Sequence, residues 1–172
     1  MLAALFLSSC LRAQALNEYE VKAAFLFNFA KFVEWPGQTF RSDKDPLRIC
    51  VLGEDPFGSS LRDTVNGKSL AGRSFSVADI ADPAEAPGCQ ILFISSSEHR
   101  RLKSLLADRR LAGALTVGES DGFCAQGGMV NFKVEGGRVA FEINVDAAAQ
   151  ASLRVDPKVL SLAKIVRARP QK

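Results

Sequence analysis

The sequence predicts an α/β fold: a single domain whose largely parallel sheet is flanked by helices, with an antiparallel hairpin at one edge. Three observations carry this reading. Short apolar runs alternate with segments bearing helix signals. The run "CQILFIS" (89–95) is apolar at successive positions, as a strand covered on both faces must be. A Gly136-Gly137 step joins two runs in "MVNFKVEGGRVAFEIN", a strong hairpin signal. At 172 residues, 47% hydrophobic and 24% charged, the chain is long enough to bury one core without metal support.

The opening "MLAALFLSSCLRAQA" reads as an export signal, an apolar stretch followed by an A-x-A cleavage site at Ala13-Gln14-Ala15. Its basic leading region is absent, so the true start of the signal is expected upstream of Met1. A second reading takes "LSSC" as a lipoprotein signal that anchors the protein through Cys10. The expected layout is a signal at 1–15, a domain at 16–167 and a tail at 168–172. Cleavage removes Arg12 and no acid, so the formal charge of +3 falls by one to +2. That balance is too small to argue for nucleic acid, whose binders carry a dense basic stripe. The basic residues of "EHRRLKSLLADRR" suit a solvated helix face instead.

The first mature helix contains "VKAAFLFNFAKFVEWP" (21–36), with four phenylalanines and the only tryptophan in sixteen positions. Asn28, Lys31 and Glu34 lie three apart and form one narrow polar stripe. Such a helix is buried on most sides or lends a face to another chain or a membrane. Phe29 and Phe32 are the candidates for a homodimer contact. No run reaches the ~18 uninterrupted apolar residues of a membrane span.

The remaining elements follow in order. "LRICVLG" (47–53) is a buried strand. "EDPFGSSLRDTVNG" (54–67) is a helix with Asp55 as N-cap and Pro56 at its first position. "RSFSVADI" (73–80) and "CQILFIS" are the next strands. "SSEHRRLKSLLADRRLAG" (96–113) reads as one helix, opened by a Ser-x-x-Glu-like cap and closed by Gly113. "ALTVGES" (114–120) is a further strand, followed by the hairpin. "DPKVLSLAKIVR" (156–167) is a closing helix, started by Asp156 and Pro157.

Motifs for catalysis are weak. "NGKS" ends like a phosphate-binding loop, but position 62 holds Arg62 where that loop needs glycine. The glycines of "VLGEDPFG" do not spell a dinucleotide fingerprint. The single histidine, His99, sits on the most charged segment, with no partner pattern for a triad or zinc site. Glu119 and Asp121 are the only paired carboxylates worth weighing, and Cys124 lacks an evident base. A non-enzyme with no cofactor and no metal is the expectation, with an enzyme built on Cys124 as the weaker alternative.

Export leaves Cys50, Cys89 and Cys124 in an oxidising compartment. Cys50 lies in the first strand and Cys89 starts the third, so a bridge is feasible. It would close a loop of 39 residues, worth about 4 kcal/mol on the chain-entropy model. Cys124 is then a free thiol, an intermolecular link or a buried side chain.

The blocks "NEYEVKAAFLFNFAKFVEWP", "LRICVLGEDPFG", "GCQILFIS", "LTVGESDGFCAQGGMVNF" and "VAFEINVDAAAQASLRVDPKVLSLAKIV" together resemble the YfiR family of periplasmic regulators, over residues 16–166. The resemblance implies a small α/β protein of the periplasm. It implies binding to, and repression of, the periplasmic sensing domain of an inner-membrane diguanylate cyclase, which lowers cyclic di-GMP and biofilm formation. It also implies sequestration by an OmpA-like outer-membrane lipoprotein, and a homodimer. Relatives carry two disulfides. The first matches Cys50–Cys89. The second would join Cys124 to a cysteine seven residues on, where Asn131 stands, leaving Cys124 unpaired.

The expected partner surface lies near the C-terminus. Val145, Ala148 and Ala149 share a short helical face, and Val155, Pro157 and Leu160 line the entry to the last helix. This apolar content exceeds what one terminal helix needs to hold itself down. Arg154 lies beside it as a candidate clamp for a carboxylate or a small anion, with Arg138 as another. A small-ligand receptor is therefore the alternative function.

Overall fold

The computed structural model describes residues 3–167, with side chains described from Glu18 onward. The Ala13-Gln14-Ala15 site and Cys10 lie outside the residues whose side chains are described. Helix α1 runs Ala3–Phe32 and passes directly into β1 (Val33–Glu34). The main sheet is then built from β2 (Leu47–Leu52), β3 (Ser69–Leu70), β4 (Arg73–Ile80), β5 (Ile91–Ile94), β6 (Leu115–Gly118), β7 (Val130–Glu135), β8 (Arg138–Asn144) and β10 (Lys164–Val166). Its strand order is β10-β8-β7-β6-β5-β2-β4-β3. Strands β4, β2, β5, β6 and β7 run parallel to one another. The β7–β8 hairpin is antiparallel, with Glu135↔Arg138 as its last pair and positive φ at Gly136 (56°) and Gly137 (75°). Two left-handed residues in a row are what a two-residue hairpin turn requires. The fold class is the one the sequence predicts.

Strand alternation sorts the core into two layers. On one face Ile49, Val51, Ile91, Phe93, Leu115, Val117, Val130, Phe132, Phe141 and Ile143 meet α1 and the short helix α2 (Ser60–Val65). On the other, Cys50, Leu52, Leu92, Ile94 and Ile80 meet Leu102 and Leu105 of α3 (Leu102–Leu106) and Phe123. Phe123 is gripped between backbones: a Cβ added at Gly118 or Gly128 would stand 2.3 or 2.1 Å from its ring. Only glycine allows that approach.

The aromatic excess of α1 is spent on the first layer. Ala23, Leu26, Phe29, Ala30 and Val33 are buried at helical spacing. Phe29 stacks on Phe25 and Phe132 at 6.1 and 6.0 Å and meets Phe141 edge-on at 5.2 Å. Burying each such ring is worth about 1.5–3 kcal/mol.

Three predicted helices are shorter than expected. Asp55 does not cap a helix at Pro56: its Oδ1 accepts from the Phe57 N–H at 2.8 Å in a local turn. Gly58 then adopts φ 58°, which no helix interior admits, so α2 starts only at Ser60. The segment after β5 is tight-turn helix at Ser96–Arg101, then α3, then another tight turn at Arg109–Leu111, ending at Gly113 with φ 90°. Ser95 caps it by accepting from the Ser97 N–H, while Glu98 pairs with Arg101. The closing helix α5 spans only Pro157–Leu160. Residues beyond it become β10, parallel to β8, so the hairpin lies one strand in from the end of the sheet.

Candidate functional site

The C-terminal surface is assembled by two side-chain caps and one strand pair. Asn144 opens α4 (Val145–Gln150): its Oδ1 accepts from the Ala147 N–H at 3.0 Å, and its Nδ2 donates to the Cys124 carbonyl at 3.0 Å. Asp156 opens α5 by accepting from the Lys158 N–H at 2.7 Å. Between the two helices, β9 (Arg154–Val155) pairs antiparallel with β1, placing Val155 opposite Val33 and Arg154 opposite Glu34. The Asp156 N–H donates to the Phe32 carbonyl at 2.8 Å. Phe32 therefore adjoins Val155 and Pro157, and two regions chosen separately along the chain form one surface.

The members of that surface differ in availability. Pro157 is exposed, while Val145, Val155, Leu160 and Phe32 are half-buried. Two expected contact residues are core residues instead. Phe29 and Ala148 are buried, because each sits on the inward stripe of its helix. Arg154 is 85% exposed and holds Glu34 loosely, at 3.7 Å. An exposed pair of that length contributes little, so the guanidinium remains open to another anion. Arg138 is also exposed and lines a separate cleft of about 310 Å³ with Val21 and Val134.

Cys50 and Cys89 form a disulfide, with Cα atoms 5.9 Å apart. It joins the interior of β2 to the turn two residues before β5, beneath α3. Cys124 is a free thiol, buried with its sulfur 3.8 Å from the Met129 carbonyl. Burial first, and the Glu142 charge second, push its pKa up to about 12. At neutral pH it is a thiol with no activating base, which removes the basis for a nucleophile there. Asn131, also buried, donates from Nδ2 to the Ser120 carbonyl at 3.1 Å and to Glu142 at 3.3 Å, while its Oδ1 has no partner.

The two carboxylates weighed as a catalytic pair part company. Asp121 is exposed and pairs with Lys133 at 3.0 Å. Glu119 is turned inward to a group the sequence reading passed over: Lys22, whose Nζ lies 2.7 Å from Glu119 Oε2. Their side chains are 4% and 8% exposed. Glu18 also pairs with Lys22, Tyr19 donates to Glu119 at 3.3 Å, and the Lys22 ammonium lies 4.5 Å from the centre of the Tyr19 ring. Burial and the Glu119 charge push the Tyr19 pKa upward, keeping it a neutral donor. The signal was present in the helical wheel. At 3.6 residues per turn, Lys22 lies about 180° from Lys31, the centre of the polar stripe. A lone cation opposite the polar face is a buried cation.

His99 is exposed, with Nδ1 3.0 Å from the Ser96 carbonyl. Lys68 of "NGKS" lies over the Phe27 ring at 4.4 Å. Among the described residues no three His, Cys, Asp or Glu side chains come together to hold a metal, and no helix is long and apolar enough to cross a membrane.

The model of a family described as YfiR/HmsC-like matches residues 19–164. The crystal structure of a conserved domain protein from Vibrio cholerae O1 biovar eltor is similar at a TM-score of 0.51 and 13% identity. The likeness covers 69% of this chain and 54% of that one, so the chain spans about half the length of that protein. Likeness at this identity shows the fold.

Proposed function

The chain belongs to the YfiR/HmsC-like family, and on that premise we propose that it is a non-catalytic periplasmic regulator, exported through residues 1–15. It binds the sensing domain of an inner-membrane diguanylate cyclase and represses it, lowering cyclic di-GMP. The observation that carries this reading is the surface at the β1–β9 seam. There Phe32, Val155, Pro157 and Leu160 offer apolar contact around an exposed, loosely paired Arg154. Apolar centres with one orienting charge are what a selective protein contact uses. An OmpA-like lipoprotein is a candidate competitor for the same surface, and the half-buried Phe32 beside it supports a homodimer contact at its margin.

The test is capture of the cyclase periplasmic domain by Leu160→Asp and Arg154→Glu variants, with circular dichroism as the folding control. Both folded variants should lose capture at least tenfold. Wild-type capture by both would place the interface elsewhere. A small anion at Arg154 is the second reading, favoured by the loose Glu34 contact. Calorimetric titration with inorganic phosphate, in wild type and Arg154→Glu, reads it directly.

A further inference from the structure

The "NGKS" run (66–69) has no part in the regulatory reading, yet the fold gives it a place. Asn66 and Gly67 follow the C-terminus of α2, and Gly67, at φ 67°, turns the chain toward β3. A phosphate-binding loop opens a helix instead, so these residues do not form one. Strand β3 pairs antiparallel with β4, with Ser69 directly opposite Ser74. Residues opposite each other in a ladder project from the same face, so two hydroxyls stand side by side. Both line a cleft of about 400 Å³, with Lys68 beside them and Val65, Phe75 and Val77 as its apolar wall.

The cleft presents polar groups that the protein leaves unused. The side chains of Asn66, Ser69 and Ser74 make no hydrogen bond, and Lys68 no ion pair, with any described residue. The Lys68 ammonium lies 4.4 Å from the centre of the Phe27 ring, which packs against Phe75 at 5.3 Å. Lys31 is exposed, has no acidic partner among the described residues, and lies over the same ring at 5.4 Å. Arg62, the other cation lining the cleft, is held by Asp55 at 3.1 Å and Asp79 at 2.5 Å. Among the described residues neither of those acids, nor any other carboxylate, lines the cleft. At the adjoining end of α2, the Arg62 and Val65 carbonyls already accept from the Asn66 and Lys68 N–H groups, at 2.9 and 3.1 Å. The clefts beside Arg138, beside β10 and beside Lys22 differ, because each is lined by at least one glutamate.

We propose that this cleft binds a phosphate monoester that carries an apolar group. Lys68 and Lys31 answer the charge of the phosphate, the paired hydroxyls and the Asn66 amide donate to its terminal oxygens, and the apolar wall takes the organic body. A carboxylate, with one charge and fewer oxygens, leaves part of this donor set unused. The same chemistry belongs to a free phosphate ester and to the headgroup of an anionic lipid. The cleft shares no residue with the β1–β9 seam and does not depend on the regulatory reading.

The experiment titrates ¹⁵N-labelled mature protein with phenyl phosphate in phosphate-free, low-salt buffer. Saturable amide shifts centred on residues 66–77 are expected, with about tenfold weaker binding in Lys68→Gln. Ser74→Ala should also bind more weakly, and Arg154→Glu should bind as wild type does, which separates this cleft from an anion held at the seam. Lys68 and Ser74 are exposed, so both variants should fold, and their amide spectra check that. Benzoate and inorganic phosphate should each bind more weakly than phenyl phosphate. Co-sedimentation with phosphatidic acid vesicles, lost in Lys68→Gln, would support the site with a lipid as its ligand; phenyl phosphate binding without co-sedimentation would support it with a free ester. Shifts centred elsewhere, equal binding of benzoate, unchanged affinity in Lys68→Gln, or no interaction with either phenyl phosphate or the vesicles would overturn the proposal.

Discussion

Replacing Lys22 by methionine removes a cation from a pocket that keeps both of its carboxylates. Glu119, 8% exposed, would then face Glu18 with only the Tyr19 hydroxyl to offset its charge. Breaking a buried pair by deleting one partner costs about 3–5 kcal/mol. Against a typical domain stability of about 5–15 kcal/mol, that is a large share. At roughly 2–4 °C per kcal/mol for a domain this size, Tm should fall by about 6–20 °C. Glu119→Gln should be milder, because Glu18 still neutralises Lys22. The double change Lys22→Met/Glu119→Leu should recover at least about 2 kcal/mol over Lys22→Met alone, since the buried charge goes with its partner. Urea unfolding followed through Trp35 reads this well: it is the only tryptophan, and its indole N–H donates to the Gln90 carbonyl at 3.1 Å. A Lys22→Met protein within about 0.5 kcal/mol of wild type, or a double variant no better than the single, would refute the reasoning.

Four further outcomes are expected. Denatured, unreduced mature protein should show one reactive thiol, and the native protein almost none to iodoacetamide at pH 8; a bridge involving Cys124 would give a different count. Because the folded Cys124 pKa is raised from 9.0 to about 12, its contribution is complete below about pH 9. It is lost as pH rises toward 12, where the unfolded chain has already released the proton, so a urea midpoint rising over that range would contradict it. Phe29→Asp should abolish folding by burying a carboxylate among Phe25, Phe132 and Phe141, whereas Phe32→Asp should stay folded by circular dichroism and lose any dimer seen by light scattering. Gly128→Ala should lower stability by more than about 2 kcal/mol, because its Cβ would strike the Phe123 ring between two backbones; an unchanged urea midpoint would mean the ring moves freely.

The elements that local chemistry specifies were legible in the chain. Strands β2, β5 and β6 are short apolar runs, and the β7–β8 hairpin is marked by paired glycines that alone tolerate two positive φ angles. Asp156 before Pro157 announced a helix start, and the structure has one there. What was not legible depends on partners far along the chain. "AKIVR" carries a helix-compatible pattern, yet the open side of β8 captures Lys164–Val166 as a strand, a long-range bond with no local signature. Glu119 lies 97 residues from Lys22, so neither could be seen to neutralise the other until α1 was laid across the sheet. The same holds for the candidate surface. Phe32 and Val155 were each picked for their apolar character, but only the pairing of β1 with β9 makes them neighbours. Periodicity decides which residues turn inward along one element; which elements then touch is decided by sheet order, because a strand edge accepts whichever matching strand the rest of the fold delivers.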